Sequence, residues 1–312
     1  MRFLLFVIFV CASGAFAQGG KTLRIIVPFP PGGASDALAR MVAEKLPAQL
    51  GQPVIVENRP GAGGNVAAEQ LSRAEPDGTL LLAAPPHLLT INHMLYKLSF
   101  DLTKLVPVGI IAAYPNVLLA TPKFPASTLD ELIAQARAQP GRVNVASQGS
   151  GTISHLSVEL LKSMASINLT HVPYKGTAPA MTDLLGGQVD LMFDNLITAM
   201  PHVKAGKLKL IGVGGAKRVP AFPDVPAIAE RLPGFHSETW MAYVAPPGTP
   251  MEIATKLSAG IARAVREPDF QKLLTELQAD PVGNTPREMA EAVAQERERW
   301  GKLIRDAKIT VQ

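Results

Sequence analysis

The sequence predicts an α/β protein whose mostly parallel strands are flanked by helices. Three observations carry that prediction. Short apolar runs alternate with segments of helical periodicity along the chain. The connections between them are short and rich in glycine and proline. The order strand, helix, strand repeats, which favours parallel pairing with helical crossovers.

Leu23 to Val27 reads as a buried strand. Asp36 to Leu50 follows as a helix, with Leu38, Met41, Val42 and Leu46 on one face and the Lys45 stem at its edge. Val54 to Glu57 is a second strand, Val66 to Arg73 a second helix and Thr79 to Ala83 a third strand. The middle repeats the theme. Strands are expected at Val117 to Ala120, Val143 to Ala146, Leu169 to Pro173, Val189 to Phe193 and Leu208 to Val213. Helices are expected at Thr128 to Ala138, Ser154 to Met164 and Ala178 to Leu185. Turn signals such as Gln139-Pro140-Gly141 and Gly186-Gly187 punctuate them. The C-terminal part reads as helices over Pro250 to Arg266, Asp269 to Gln278 and Arg287 to Ala307. Thr249 reads as the N-cap of the first, with Pro250 at its first helical position and Glu252 three residues past the cap.

Two similar passages mark candidate domain crossings. Val117-Leu-Leu-Ala-Thr-Pro runs into the helix at Thr128, and Met241-Ala-Tyr-Val-Ala-Pro runs into the helix after Thr249. The expected organisation is a discontinuous first domain of residues 18–121 and 240–312, with a second inserted over 122–239.

The first seventeen residues read as a cleaved signal peptide. Arg2 supplies a positive charge, Phe3 to Ala12 an apolar run, and Ala15-Phe16-Ala17 a small-x-small cleavage site before Gln18. The run is too short to span about 30 Å of hydrocarbon. Cys11 is preceded by Ile8, Phe9 and Val10 rather than by small residues, which disfavours lipidation. It is also the only cysteine of the sequence, so an exported mature chain has no disulfide.

The chain carries 30 Lys and Arg against 26 Asp and Glu, a formal charge of +4 that becomes +3 once Arg2 is removed. The basic residues are scattered, with no basic block and few aromatics, which argues against nucleic acid as a partner.

Three glycine-rich turns are the candidates for chemistry. Pro28-Phe-Pro-Pro-Gly-Gly-Ala-Ser-Asp36 joins the first strand to the first helix, with Ser35 a candidate N-cap. A helix N-terminus offers free N–H groups and a positive dipole end, a ready site for an anion. An ordinary strand-to-helix connection explains the same glycines, and the residues leave both readings open. Ser147-Gln-Gly-Ser-Gly-Thr152 precedes a helix carrying His155 and Glu159, and Ser147, Ser150 and Thr152 supply hydroxyl donors. A carboxylate between these two helix N-termini would use donors from both. Asn58-Arg-Pro-Gly-Ala-Gly-Gly-Asn65 could line the cleft or only shape its edge. Asp194 and Asn195 end an apolar strand and could meet a ligand hydroxyl or ammonium, or cap the turn that follows. Lys175 reads as a solvated loop lysine.

Enzyme signatures fail one by one. No glycine-rich stretch completes a dinucleotide fingerprint or ends in Gly-Lys-Ser/Thr, and no Gly-x-Ser-x-Gly occurs. His155 and Glu159 share a helix face, but no third residue stands at metal-ligand spacing. The residues point to no cofactor and no metal.

Seven stretches, in order over nearly the whole chain, then carry a family resemblance. They are Ile25 to Asp36, Val56 to Asn65, Ser147 to Thr152 with His155-Leu156, Val172 to Gly176, Asp183 to Asp190, Pro223 to Pro226 and Pro246 to Pro250. The chain resembles the Bug family, the TctC-like substrate-binding receptors of tripartite tricarboxylate transporters. The resemblance implies a two-domain periplasmic binding protein of the Venus-flytrap kind, each domain a mostly parallel sheet flanked by helices. It implies a monomer that delivers a small carboxylate to membrane permease subunits. Family ligands include di- and tricarboxylates, acidic amino acids and aromatic acids. Mapped here, the implied site comprises Phe29, Pro30, Gly33, Ala34, Ser35 and Asp36 in the first turn. Ser147, Gly149, Ser150, Gly151 and Thr152 follow in the second. The residues themselves add His155, and Asp194 and Asn195 as side chains expected to alter which ligand is preferred. A receptor that signals to a membrane sensor, or a secreted α/β hydrolase, are the rival functions.

Overall fold

The computed structural model describes residues 21–310. The expected signal peptide, its cleavage before Gln18 and Cys11 lie outside the described residues.

The first half of the sheet starts from three apolar segments. Strand β1 (Leu23–Val27) pairs in parallel with β2 (Val54–Asn58) on one side and β3 (Leu80–Ala84) on the other. Helices α1 (Ala34–Leu50) and α2 (Asn65–Ser72) make the crossovers. Two short helices, α3 (Pro86–Thr90) and α4 (Asn92–Leu95), follow β3. The chain then enters β4 (Val106–Ala120), a strand of 15 residues.

The second half repeats the alternation. Helix α5 (Leu129–Ala138) leads to β5 (Asn144–Ser147), α6 (Ile153–Ala165) to β6 (Thr170–Pro173), and α7 (Thr177–Leu185) to β7 (Leu191–Asn195). Helix α8 (Leu196–Lys204), β8 (Lys209–Val213) and α9 (Ile228–Arg231) complete it. Strand β9 (Glu238–Ala245) returns to the first half, followed by α10 (Met251–Val265), α11 (Pro268–Glu276), the two-residue β10 (Asp280–Pro281) and α12 (Pro286–Asp306).

One continuous path of strands results, ordered β2-β1-β3-β9-β4-β7-β5-β6, with β8 and β10 also pairing to β4. The outer strands are parallel, as expected. The middle is antiparallel, because β9 runs against both β3 and β4, and β4 runs against β7 and β8. The N-terminal part of β4 pairs with β9 and its last residues pair with β7 and β8, so one strand belongs to both halves.

Each half is a three-layer sandwich. Alternate side chains of β1 reach opposite faces: Leu23, Ile25 and Val27 pack under α1, while Ile26 packs with Ala67 and Leu71 of α2. The same alternation in β4 sends Leu118 and Ala120 to one face of the second half and Val117 and Leu119 to the other. A smaller cluster, with Trp300 and Ile304 of α12 against Ile153 and Leu156 of α6, ties the halves together.

Three expectations need correction. The long strand was expected only from Val117. Its first part contains Pro107, Gly109 and Pro115, residues that read as strand breakers; register shifts against β9 follow Pro107 and Ile110, and Pro115 pairs with Glu238 at the end of that ladder. Ser35 is not an N-cap: α1 starts at Ala34, two residues earlier than expected, and Gly33 occupies the cap with extended backbone. Thr249 does not cap α10 either. Pro250 holds that position, and the Thr249 hydroxyl donates back to the Pro246 carbonyl at 2.8 Å.

Candidate functional site

A cleft opens where the two halves of the sheet meet. The first helix, the crossing strands and the second half all contribute to it. Phe29 and Pro30 come from the turn after β1, and Gly33 to Ser35 from the start of α1. Tyr114, Asn116 and Thr239 come from β4 and β9. Gln148, Thr177 and Asn195 face them from the second half, each at the carboxyl end of a strand or the start of a helix. Pro85, His87 and Ile153 complete the lining.

The cleft collects helix N-termini. Helices α1, α7 and α8 have Gly33, Gly176 and Asn195 as N-caps, and no side chain bonds to the amides of any of these termini. Away from the cleft, α5 and α12 are closed by Thr128–Glu131 and Thr285–Glu288 capping boxes. Uncapped first-turn amides need a partner and attract an acceptor. The lining contains no Lys, Arg, Asp or Glu. His87 adds no charge at neutral pH, since burial pushes its imidazole down to about 4 against the hydrogen bond to the Gly63 carbonyl. Any attraction for an anion therefore comes from backbone dipoles rather than from a cationic side chain.

The two walls approach closely at Gly176. Its φ of 112° is one that side-chain-bearing residues avoid, and a β-carbon there would lie 3.1 Å from Cδ of Pro30.

The residues singled out by sequence divide into two groups. Phe29, Pro30, Gly33, Ala34, Ser35 and Asn195 line the cleft. Asp36, Ser147, Gly149, Ser150, Gly151, Thr152, His155 and Asp194 do not. Ser147, Thr152 and Asp194 are 0% exposed, so their side chains are turned away from the cleft in this structure. Their bonds explain it. Ser147 Oγ lies 2.6 Å from Nε2 of His171 and accepts from the Gly149 amide. Thr152 Oγ1 donates to the Gly149 carbonyl and caps α6 by accepting from the His155 amide. His155 stacks on His171 with ring centroids 4.0 Å apart and accepts the Gly151 amide at Nδ1. The Ser150 carbonyl accepts from the Tyr96 hydroxyl at 2.7 Å. The second turn is thus held internally, and only Gln148 of its residues lines the cleft.

Asp36 is equally occupied. Burial raises its carboxyl, but hydrogen bonds from Arg40, Asn58 and the Gly32 amide outweigh that and leave the pKa lowered. It fixes the first turn against the Asn58 turn, whose side chain also donates to the Phe29 carbonyl at 3.0 Å. The Asn58 to Asn65 turn therefore shapes the edge of the cleft. Asp194 accepts from Gln148, Thr177 and Thr198.

Ser147 and His171 have the spacing of a nucleophile and its base, but the hydroxyl is sealed from the cleft. His155 and Glu159 lie 3.9 Å apart, and no group of three His, Cys, Asp or Glu able to hold a metal occurs among the described residues. Nor is any described helix long and apolar enough to cross a membrane.

Residues 38–309 match the model of the TctC family, described as the tripartite tricarboxylate transporter family receptor. The chain belongs to the TctC family. The motif resemblance is borne out, and with it the α/β binding-protein fold of the Venus-flytrap kind. An R. palustris protein solved with adipate is 36% identical to this TctC-family chain, with a TM-score of 0.89 over 93% of this chain and 98% of that one. MatC from Rhodopseudomonas palustris, solved with bound malate, is 34% identical, with a TM-score of 0.83 over 91% and 98%. BugT of Bordetella pertussis is 36% identical over 96% of this chain and 95% of its own length.

The lining residues that sequence reasoning missed are Pro85, His87, Tyr114, Asn116, Gln148, Ile153, Thr177 and Thr239. Gln148 sat inside a stretch already singled out, and Thr177 directly follows another. The strand residues carried no local signal.

Proposed function

We propose that this TctC-family chain is a periplasmic receptor that binds a small carboxylate and delivers it to the membrane permease subunits of a tripartite tricarboxylate transporter. The observation that carries the reading is the meeting of three uncapped helix N-termini on a cleft without ionised side chains. Such a cleft binds a carboxylate by amide donors and dipoles, with no counter-charge to remove at release.

The protein works as a monomer of two lobes, residues 18–121 with 240–312 and residues 122–239. Export with removal of residues 1–17 places it where it meets its ligand. The lobes close on the ligand by bending where β4 and β9 pass between them. The adipate and malate of the solved relatives support a di- or tricarboxylate, and acidic amino acids and aromatic acids belong to the same reading.

A thermal-shift and calorimetry panel tests it, with adipate, malate, citrate, glutamate, benzoate and a neutral sugar. A ligand at 100 times its dissociation constant adds about 2.7 kcal/mol of stability. Stabilisation by at least one carboxylate is expected. Tight binding confined to the neutral sugar would overturn the reading.

A further inference from the structure

Asp194, at the end of β7, is fully buried behind the cleft wall. Its Oδ1 accepts from Gln148 Nε2 at 2.6 Å and from Thr177 Oγ1 at 3.1 Å, and its Oδ2 from Thr198 Oγ1 at 2.7 Å. Gln148 and Thr177 both line the cleft. A hydroxyl has one hydrogen, so Thr177, having donated it to Asp194, can only accept from a ligand. The carboxyl also draws the nitrogen end of the Gln148 amide toward itself and turns the oxygen end away. Gln148 Oε1 has no protein partner among the described residues.

Asn116 repeats the arrangement from β4. Its Nδ2 donates to Ser237 Oγ at 3.0 Å, and its Oδ1 has no partner among the described residues. His87 does so from α3. Its Nε2 faces the Gly63 carbonyl at 3.2 Å. A carbonyl can only accept, so the proton sits on Nε2 and Nδ1 is left as an acceptor. Four side chains of the lining thus direct donors into the protein and keep acceptors free. The first turn of α1 does the opposite and presents amide donors.

We propose that the acceptors of Gln148 and Thr177, with that of Asn116 facing them from β4, read a hydrogen-bond donor on the ligand, so that the ligand is a carboxylate bearing a hydroxyl or ammonium group. This rests on the receptor reading above and narrows it. The carboxylate sits at the α1 terminus, and its hydroxyl or ammonium faces the acceptor wall. A bare methylene chain there would leave these acceptors without partners. Asp194 acts as a positioning residue: it touches no ligand but fixes which end of Gln148 and Thr177 the ligand meets.

Calorimetry with two matched series tests this: succinate, malate and aspartate, then adipate, 2-hydroxyadipate and 2-aminoadipate. Whichever length is accepted, the hydroxy or amino member binds about 10- to 100-fold tighter than the unsubstituted acid. Comparing malate with aspartate, or the two longer analogues, identifies the donor. In Asp194→Asn the new amide can donate to Gln148, so its side chain is free to turn and the preference shrinks to within about three-fold. Should that variant not fold, Gln148→Met removes the acceptor directly and gives the same loss of preference. Unsubstituted acids binding as tightly as their substituted partners would overturn the inference while leaving the carboxylate receptor intact. So would a preference undiminished in both variants. Binding of none of the six acids would overturn the inference, and only failure of the whole carboxylate panel would remove the receptor reading as well.

Discussion

Gly33 and Thr177 face each other across the cleft: a β-carbon on Gly33 would lie 3.7 Å from both Cβ and Oγ1 of Thr177. The two residues stand at the N-termini of α1 and α7, one from each half of the sheet, so a carboxylate bound beside them would meet both helices.

Gly33→Leu fills that space. The backbone at Gly33 is extended, with φ −89° and ψ 170°, so a side chain is tolerated without strain. We predict a loss of affinity of more than about 100-fold, with the melting temperature of the free protein nearly unchanged, since the side chain enters the cleft rather than a packed core. Calorimetry and melting without ligand check the two halves of this statement. Wild-type affinity would show that ligand does not pass between these helices.

Gly214→Ala acts on the passage between lobes. A β-carbon there would lie 2.7 Å from the Ser237 carbonyl oxygen and 2.8 Å from that of Asn116, both backbone atoms of the crossing strands. Neither can yield without moving a strand. Destabilisation of about 1–3 kcal/mol is expected, measured by denaturant unfolding. A neutral effect would mean that the crossing is looser than its hydrogen bonds indicate.

Three buried histidines predict the acid limit of stability. Burial pushes His87 and His155 down to about 4 and His171 to about 3, from an ordinary 6.5. The unfolded chain therefore takes up protons on these rings before the folded chain does. The stability they contribute is fully present above pH 6.5 and is lost as pH falls toward 4 and below, at up to about 1.4 kcal/mol per pH unit for each ring. Unfolding free energies at pH 7, 6, 5 and 4 should decline, and His87→Gln or His171→Asn should flatten the slope. An equal slope in the variants would show that these rings titrate alike in both states.

Ser147→Ala separates scaffold from cleft. It removes the hydroxyl bonded to His171 and to the Gly149 amide. Stability should fall by about 1–3 kcal/mol, with affinity changed by less than about three-fold. Melting without ligand and calorimetry report the two effects independently. A large affinity loss with unchanged melting would place this hydroxyl on the ligand instead.

The strands and helices that obey a local period were legible from the residues alone. Leu23–Val27 was read to the residue, and α5, α6 and α12 to within a residue or so, because apolar spacing and cap residues are local signals. The first part of β4 was not, since Pro107, Gly109 and Pro115 hide a strand that only its β9 partner makes possible. The site divided the same way. Phe29 to Ser35 lies on one turn and was found. Tyr114, Asn116 and Thr239 come together only through pairing of β4 with β9, residues more than a hundred positions apart, and no local pattern records that. Ser147 and Thr152 were chosen for their hydroxyls, whereas the turn uses those hydroxyls to hold itself and offers Gln148 outward.

Strand β9 lies between β3 and β4, so the order in which the sheet can be built is constrained. Until Glu238–Ala245 is present, β3 has no neighbour on that side and the N-terminal part of β4 has nothing on which to pair. A nascent chain thus carries its first 237 residues without the strand that joins them into one sheet. Such long-range closure slows folding. It favours a polypeptide that remains loose until nearly complete, the state in which a chain can still be threaded through a narrow channel.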